Sequence, residues 1–317
     1  MKMDKIAVLI PCYNEESTVF KVVSDFKREL PEAVIYVYDN NSGDDTVSEA
    51  VRAGAVVRRE HLQGKGNVVR RMFREIDAEC YILVDGDDTY PAESAGEMAS
   101  LVLEQGADMV VGDRLSSTYY TENKRRFHNF GNNLVRGVIN TLFNSEIKDI
   151  MTGYRAFGYN FVKTFPVQSA GFEIETEMTI HAVSHNLNVR NLVVDYRDRP
   201  EGSESKLDTI GDGMKVLVTV FDLFKNFRPL LFFSLTGLFL FLIAFAVFII
   251  RVWIPFLETG LVDRFPTLIV CSFVTVLSVL LFVCGLILDA IMRKEKREFE
   301  WKLVIADRHR REGSARN

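Results

Sequence analysis

The chain has 317 residues, 48% apolar and 26% charged, and its 38 basic and 43 acidic side chains give a formal charge of −5. This composition excludes a disordered or fibrous chain, and the acidic balance excludes a general nucleic-acid binder, which needs a clustered basic excess. The four cysteines, Cys12, Cys80, Cys271 and Cys284, form no CxxC pair, so neither a disulfide frame nor a zinc site is expected, and a reducing, cytoplasmic setting fits.

Residues 6–10 (IAVLI), 34–38 (VIYVY), 55–58 (AVVR) and 81–84 (YILV) are short runs rich in β-branched and aromatic side chains and are predicted as strands. No signal peptide is expected, because the first run leads directly into a Pro-Cys-Tyr-Asn turn. Between the strands lie helical patterns. Residues 16–30 carry Val19, Val22, Val23, Phe26 and Leu30 at three- and four-residue steps, and residues 66–76 and 92–105 behave likewise. The alternation predicts an α/β domain with a mostly parallel sheet, helices on both faces, and ligands at the carboxyl ends of the strands.

Further along, residues 123–143 and 210–227 each place apolar side chains on one helical face with basic neighbours, which suits either a core-facing helix or one lying in the lipid headgroup layer. Residues 229–250 and 267–288 are two uncharged runs of 22, each long enough to cross a hydrocarbon core of about 30 Å. Lys225 and Arg228 precede the first run, and Arg293, Lys294, Lys296 and Arg297 follow the second. The positive-inside rule therefore puts both ends in the cytoplasm, at the cell membrane. The expected organisation is a catalytic domain over 1–205, an interfacial linker over 206–228, two membrane helices within 229–288 and a basic tail over 289–317. Gly237 or Gly285 is expected to pack helices or subunits, and a homo-oligomer stays open because no GxxxG is present.

Three polar loops follow three of the strands: Pro11-Cys12-Tyr13-Asn14-Glu15-Glu16, the run 39–46 (DNNSGDDT), and Asp85-Gly86-Asp87-Asp88. Each alone is ordinary turn or cap chemistry. Three together on one sheet edge point to a ligand. Asp85 and Asp87, one residue apart across a glycine, can aim oxygens at one point, as hard cations such as Mg²⁺ or Mn²⁺ require beside phosphate oxygens. Asp39 can accept from a base N–H or a ribose hydroxyl, so a nucleoside diphosphate is implied. Neither GxGxxG nor GxxxxGK[ST] is present; Gly64 and Gly66 would free the backbone so that Lys65 or Arg70 approaches the ligand.

Taken together, Pro-Cys-Tyr-Asn-Glu-Glu, Asp39 with its Asn-Asn-Ser-Gly-Asp run, Gly64-Lys65-Gly66 and Asp85-Gly86-Asp87-Asp88 resemble the inverting glycosyltransferases of family 2, with the GT-A fold, over residues ~5–205. With two carboxyl-terminal spans the chain is similar to the polyprenyl-phosphate branch, which includes dolichyl-phosphate mannosyltransferases and undecaprenyl-phosphate sugar transferases. The resemblance implies transfer of one sugar from a nucleotide-sugar to a polyprenyl phosphate. It implies a nucleotide site of Pro11, Tyr13, Asn14, Glu15, Asp39, Asn41, Lys65, Asp85 and Gly86, and a metal held by Asp85 and Asp87. It also implies catalytic roles for Asp87, Asp149, Arg126 and Arg155. Candidate holders of the acceptor phosphate are Arg114, Arg126, Arg136, Arg199, Ser203 and Lys206.

Two departures refine this. The Gln-x-x-Arg-Trp of processive members is missing, since the tryptophans are Trp253 and Trp301, so single transfer is expected. Asp39-Asn-Asn-Ser replaces the Asp-Asp-Gly-Ser of the mannosyl branch, which favours a UDP-sugar such as UDP-GlcNAc or UDP-glucose over GDP-mannose. A lipid phosphate, with a second pKa near ~6, attacks without a general base, so Asp149 is read first as an orienting group. One of Glu173, Glu175 and Glu177 is expected near sugar hydroxyls, and Glu177, His181 and His185 are expected on an exposed helix rather than as metal ligands. The rival from another class is a catalytically silent, nucleotide-sensing membrane subunit, which would tolerate Asp87→Ala.

Overall fold

The computed structural model describes residues 3–116, 136–143, 145–171, 173–197, 221–222 and 224–314. Arg126, Arg199, Ser203 and Lys206 lie outside these residues, as does most of each amphipathic stretch at 123–143 and 210–227. The chain divides into two compact units, one of Met1–Met214 with Phe299–Asn317, the other of Lys215–Glu298.

In the first unit β1 (Asp4–Cys12), β2 (Val34–Asp39), β3 (Val56–Arg59), β4 (Ala78–Leu83), β5 (Met109–Asp113), β6 (Arg155–Gly158) and β7 (Val189–Val193) form one sheet in the order β3-β2-β1-β4-β6-β5-β7. Strands β3, β2, β1 and β4 are parallel, β7 is parallel to β5, and β6 runs antiparallel between β4 and β5. The last two strands carry weak sequence signals, because β6 is four residues long and opens on Arg155 while β7 lies at the edge with Val193 exposed.

Helices α1 (Val19–Glu29), α2 (Thr46–Arg52), α3 (Lys65–Glu75), α4 (Ala95–Leu103), α5 (Tyr159–Thr164) and α6 (Ile174–Ser184) cover both faces. Side chains alternate across a strand, so β1 serves two cores. Ile6, Val8, Ile10 and Cys12 pack with Val19, Val22, Val23 and Phe26 of α1 and with Ala95 and Met98 of α4. Ala7 and Leu9 pack with Val68, Val69, Met72 and Phe73 of α3, Phe161 of α5 and Met178 of α6. Burial on both faces explains why the strand reads as continuously apolar. The predicted 92–105 helix is split: Pro91 is extended, Ala92–Ser94 is a 3₁₀ turn, and α4 follows.

Strand register brings the three polar loops together. Cys12 stands opposite Asp39, and Leu9 opposite Leu83, so three residues further on the first strand's end meets Gly86.

The second unit contains α7 (Pro229–Phe248), a π-helical turn (Ile249–Trp253), α8 (Ile254–Thr259) and the first part of α9 (Phe265–Ser314). Two helices are long and apolar enough to cross a membrane, with windows of mean hydropathy 2.7. They meet along a seam of small residues. A side chain on Gly237 would strike the Ser278 carbonyl, and one on Gly285 would crowd Leu230 and Phe233, so both glycines pack helix on helix. Cys271, Ser278 and Gly285 recur every seven residues and are buried, as are Gly237, Ala244 and Val252 on the other helical segment. The eight-residue last step falls where the π turn inserts one residue.

From Phe299 onward α9 belongs to the first unit. Phe299 is buried against His181 and His185, with ring centroids 5.2 and 3.9 Å away, and Ala306 packs with Met3 and Tyr159.

Candidate active site at the strand ends

Three left-handed residues shape the edge: Asn14 (φ 54°), Asn41 (φ 65°) and Asp88 (φ 57°), one in each polar loop. Asn and Asp adopt this backbone at lower cost than other side chains because they can bond locally. Here the side chains also latch the loops. Asn14 Oδ1 accepts from Gly43 N (2.9 Å), while Asn14 N donates to Ser42 Oγ (2.9 Å) and Glu15 N to Thr46 Oγ1 (2.8 Å). Thr18 Oγ1 donates to the Gly86 carbonyl (2.7 Å), tying the first loop to the third. Asn41 Nδ2 donates to the His61 carbonyl, and Asp88 accepts from Lys21 Nζ (2.7 Å). At Gly86 a Cβ would lie 2.7 Å from Cys12 Sγ, so the close approach requires glycine.

Asp85 is the half-exposed centre of the edge. Its Oδ1 lies 2.5 Å from Lys65 Nζ, which also lies 2.5 Å from Glu175 Oε1. Burial works against the Lys65 charge, but Asp85 and Glu175 overcome it and hold the ammonium well above its ordinary pKa. Burial also raises Glu175, against the pull of Lys65. Lys65 is fixed by its neighbours: Gly64 and Gly66 press on the backbone of Ala170 and Ser169, and Gly66 N donates to the Ala170 carbonyl (3.0 Å). Gly153 closes the other side, since a Cβ there would collide with the Asp85 carboxylate. Asp87 is buried and accepts from Thr89 Oγ1 (2.6 Å).

These residues suit a divalent cation. Besides burial, Glu15, Asp39, Asp85 and Asp87 all push the Cys12 thiol pKa up, which marks a concentration of negative charge. The donors are carboxylate oxygens, the class hard cations prefer, and among the described residues no group of three His, Cys, Asp or Glu side chains could hold an ion alone. Ligand oxygens would complete such a site.

Asp39 is fully buried at the end of β2. Its Oδ1 accepts from Ser42 N (3.2 Å), whereas Oδ2 accepts no hydrogen bond among the described residues, although Arg59 Nε lies 3.3 Å away. The two observations are compatible: the distance suits an ion pair, while the direction leaves the acceptor unsatisfied. Such a buried acceptor is costly without a donor. Pro11 and Glu15 are half-buried beside it, and Tyr13 is exposed on the rim.

A second charged cluster lies past Gly153. Arg114 Nε donates to the fully buried Asp149 Oδ2 (2.7 Å), and Asp149 Oδ1 accepts from Met151 N. Tyr90 Oη lies 3.3 Å from Arg114 Nη1, 3.4 Å from Thr152 Oγ1 and 3.2 Å from Gly153 N. Tyr90, Gly153 and the role of Glu175 as partner of Lys65 were not read from sequence. Only the position of Tyr90 next to the Asp-Asp-Thr end of the third loop hinted at the first.

Arg155 is corrected. Its guanidinium is entirely buried and donates to the Thr152 and Ile150 carbonyls and to Thr179 Oγ1, while burial lowers its pKa to about 10. It staples the 150–152 loop to α6 instead of reaching a phosphate. Arg136 is half-buried and donates to the Lys148 carbonyl (3.1 Å). The α6 histidines are corrected too, because His181 is buried among Phe161, Phe165 and Phe299 and not exposed. Glu177 caps the backbone N–H groups of Gln168 and Ser169.

Residues 7–164 match Glycosyl transferase family 2. Glycosyltransferase AglJ of Haloferax volcanii is 33% identical over 235 residues, covering 74% of this chain and 77% of that one. A dolichyl-phosphate hexose transferase of the same organism is 28% identical over 67% of this chain and 91% of its own. Glucosyl-3-phosphoglycerate synthase from Mycobacterium tuberculosis, solved with Mn²⁺, UDP-glucose and phosphoglyceric acid, shares the fold with a TM-score of 0.54 at 21% identity, over 69% of this chain and 79% of that one. The chain belongs to glycosyl transferase family 2 and is a glycosyltransferase with the GT-A fold.

Proposed function

We propose that the chain transfers one hexose, with inversion, from a UDP-sugar to a polyprenyl phosphate at the cytoplasmic face of the membrane. The observation that carries this reading is the pairing, at one sheet edge, of the Asp85–Asp87 carboxylates with the unsatisfied Asp39 Oδ2. One side fits a metal-bound diphosphate and the other a base or ribose donor. Similarity to a dolichyl-phosphate hexose transferase and two helices able to cross a membrane support the lipid acceptor.

In this mechanism Asp39 accepts from the nucleoside, and Asp85 and Asp87 would hold magnesium or manganese, which would supply positive charge against the departing diphosphate. A phosphate oxygen of the lipid bonds to the anomeric carbon as the bond to the β-phosphate oxygen breaks. No proton has to move, since the monoester is already ionised near neutral pH, its second pKa lying near ~6. The fully buried Asp149 therefore orients Arg114 instead of acting as a base. Arg114 and Arg136, with Arg126, Arg199, Ser203 and Lys206, are the candidate holders of the acceptor phosphate, where cations align two anions.

The test incubates purified protein with Mn²⁺, undecaprenyl phosphate and, separately, UDP-glucose, UDP-GlcNAc and GDP-mannose, and identifies the lipid product by mass spectrometry. A polyprenyl-phosphate hexose from a UDP donor is expected. A product formed only from GDP-mannose would overturn the donor assignment, and no lipid product from any donor would overturn the acceptor.

A further inference from the structure

Lys65 lies where an incoming cation would go. Its ammonium touches Asp85 Oδ1 and Glu175 Oε1, both at 2.5 Å, in a pocket that leaves its side chain 7% exposed. The Lys65 backbone cannot withdraw, because Gly64 and Gly66 are seated on the carbonyls of Ala170 and Ser169. The Asp85 carboxylate also lies close against Gly153, where a Cβ would collide with it. A free dication approaching Asp85 would therefore meet an ammonium already in contact with that oxygen.

We propose that Lys65 is an internal counter-cation that keeps Asp85 closed to free metal, so that the ion enters together with the diphosphate of the donor. This rests on the nucleotide-sugar reading of the same edge. The diphosphate brings the oxygens that the site lacks, since among the described residues no three-ligand group exists. It also brings negative charge to which the flexible Lys65 side chain can transfer when it leaves Asp85. Glu175 stays behind as the fixed partner that holds the lysine charged and nearby. Metal entry and donor entry are then one event, and Glu175 is a positioning residue.

The experiment titrates Mn²⁺ into full-length protein in detergent, with and without UDP, and follows free Mn²⁺ by electron paramagnetic resonance. In the wild type, UDP is expected to tighten Mn²⁺ binding at least about tenfold, or about 1.4 kcal/mol. Lys65→Met is expected to tighten binding of Mn²⁺ alone by about the same factor and to reduce the UDP dependence. Lys65→Met/Glu175→Gln removes the charge left without a partner, and should keep the gain if the single variant is unstable. Lys21→Met deletes an equal charge on neighbouring Asp88 and should change the affinity less than about twofold, because exposed pairs are screened. Equal wild-type affinity with and without UDP would overturn the proposal. So would unchanged Mn²⁺ affinity in the folded Lys65 variants, or a Lys21 effect as large as theirs. None of these readouts involves sugar or lipid, so they fail separately from the transfer assay.

Discussion

Two buried ionic clusters flank Gly153, and they are built differently. In the first, two carboxylates share Lys65, and the Asp85 side chain keeps 29% of its surface open. In the second, Arg114 pairs with an Asp149 side chain that has no exposed surface. The first has an excess of negative charge and an opening, which suits capture of a cation. The second is sealed and tied through Tyr90 to the Gly153 backbone, which suits holding a shape. Burial alone thus does not mark chemistry; the sign of the local imbalance and access to it do.

The contrast is tested most strongly at Asp87. Asp87→Ala is expected to lower transfer at least ~10³-fold, about 4 kcal/mol, with the melting temperature nearly unchanged, as measured by product formation and thermal unfolding. If activity survived, the first cluster would not be a capture site. Arg114→Met should act on the other property. It leaves Asp149 buried without its guanidinium, and urea unfolding should show a loss of about 3–5 kcal/mol. A loss under ~1 kcal/mol would remove the structural role assigned to the second cluster.

An uncharged buried group offers a third point of reference. Burial, followed by His185 and Lys302, lowers the His181 pKa to about 3. In the unfolded chain the ring takes a proton near its ordinary value of about 6.5, so the unfolded state binds more protons below that pH. Stability from this residue is present above pH ~6.5 and falls as pH drops toward the folded value, by up to about 1.4 kcal/mol per pH unit. Replacing His181 by Phe should flatten that slope in unfolding curves recorded from pH 7 to 5. The smallest expected effect is that of Tyr90→Phe, which removes one hydroxyl shared by Arg114, Thr152 and Gly153 and should cost about 1 kcal/mol in stability. A wild-type urea midpoint would sever the link between the clusters.

Much of the fold could be read in advance because its information is local. Strand–helix alternation gave the parallel half of the sheet, and loops rich in Asn, Asp and Gly at three strand ends gave the edge. What could not be read depends on distant partners. Glu175 is 110 positions from Lys65, and nothing in either neighbourhood announces the pair. Arg155 opens a short antiparallel strand, so its charge suggested a phosphate when its actual partners are carbonyls three and five residues upstream and a threonine on α6. The helical spacing of His181 and His185 was clear, but not that Phe299, more than a hundred residues later, would cover them.

That late arrival has a bearing on biogenesis. Phe299 and Ala306 complete packing begun by Met3, Tyr159 and the α6 histidines, yet a ribosome makes them only after both apolar helices have been synthesised. Because domains otherwise settle as they emerge, the amino-terminal portion completes this packing only after both apolar helices have been made.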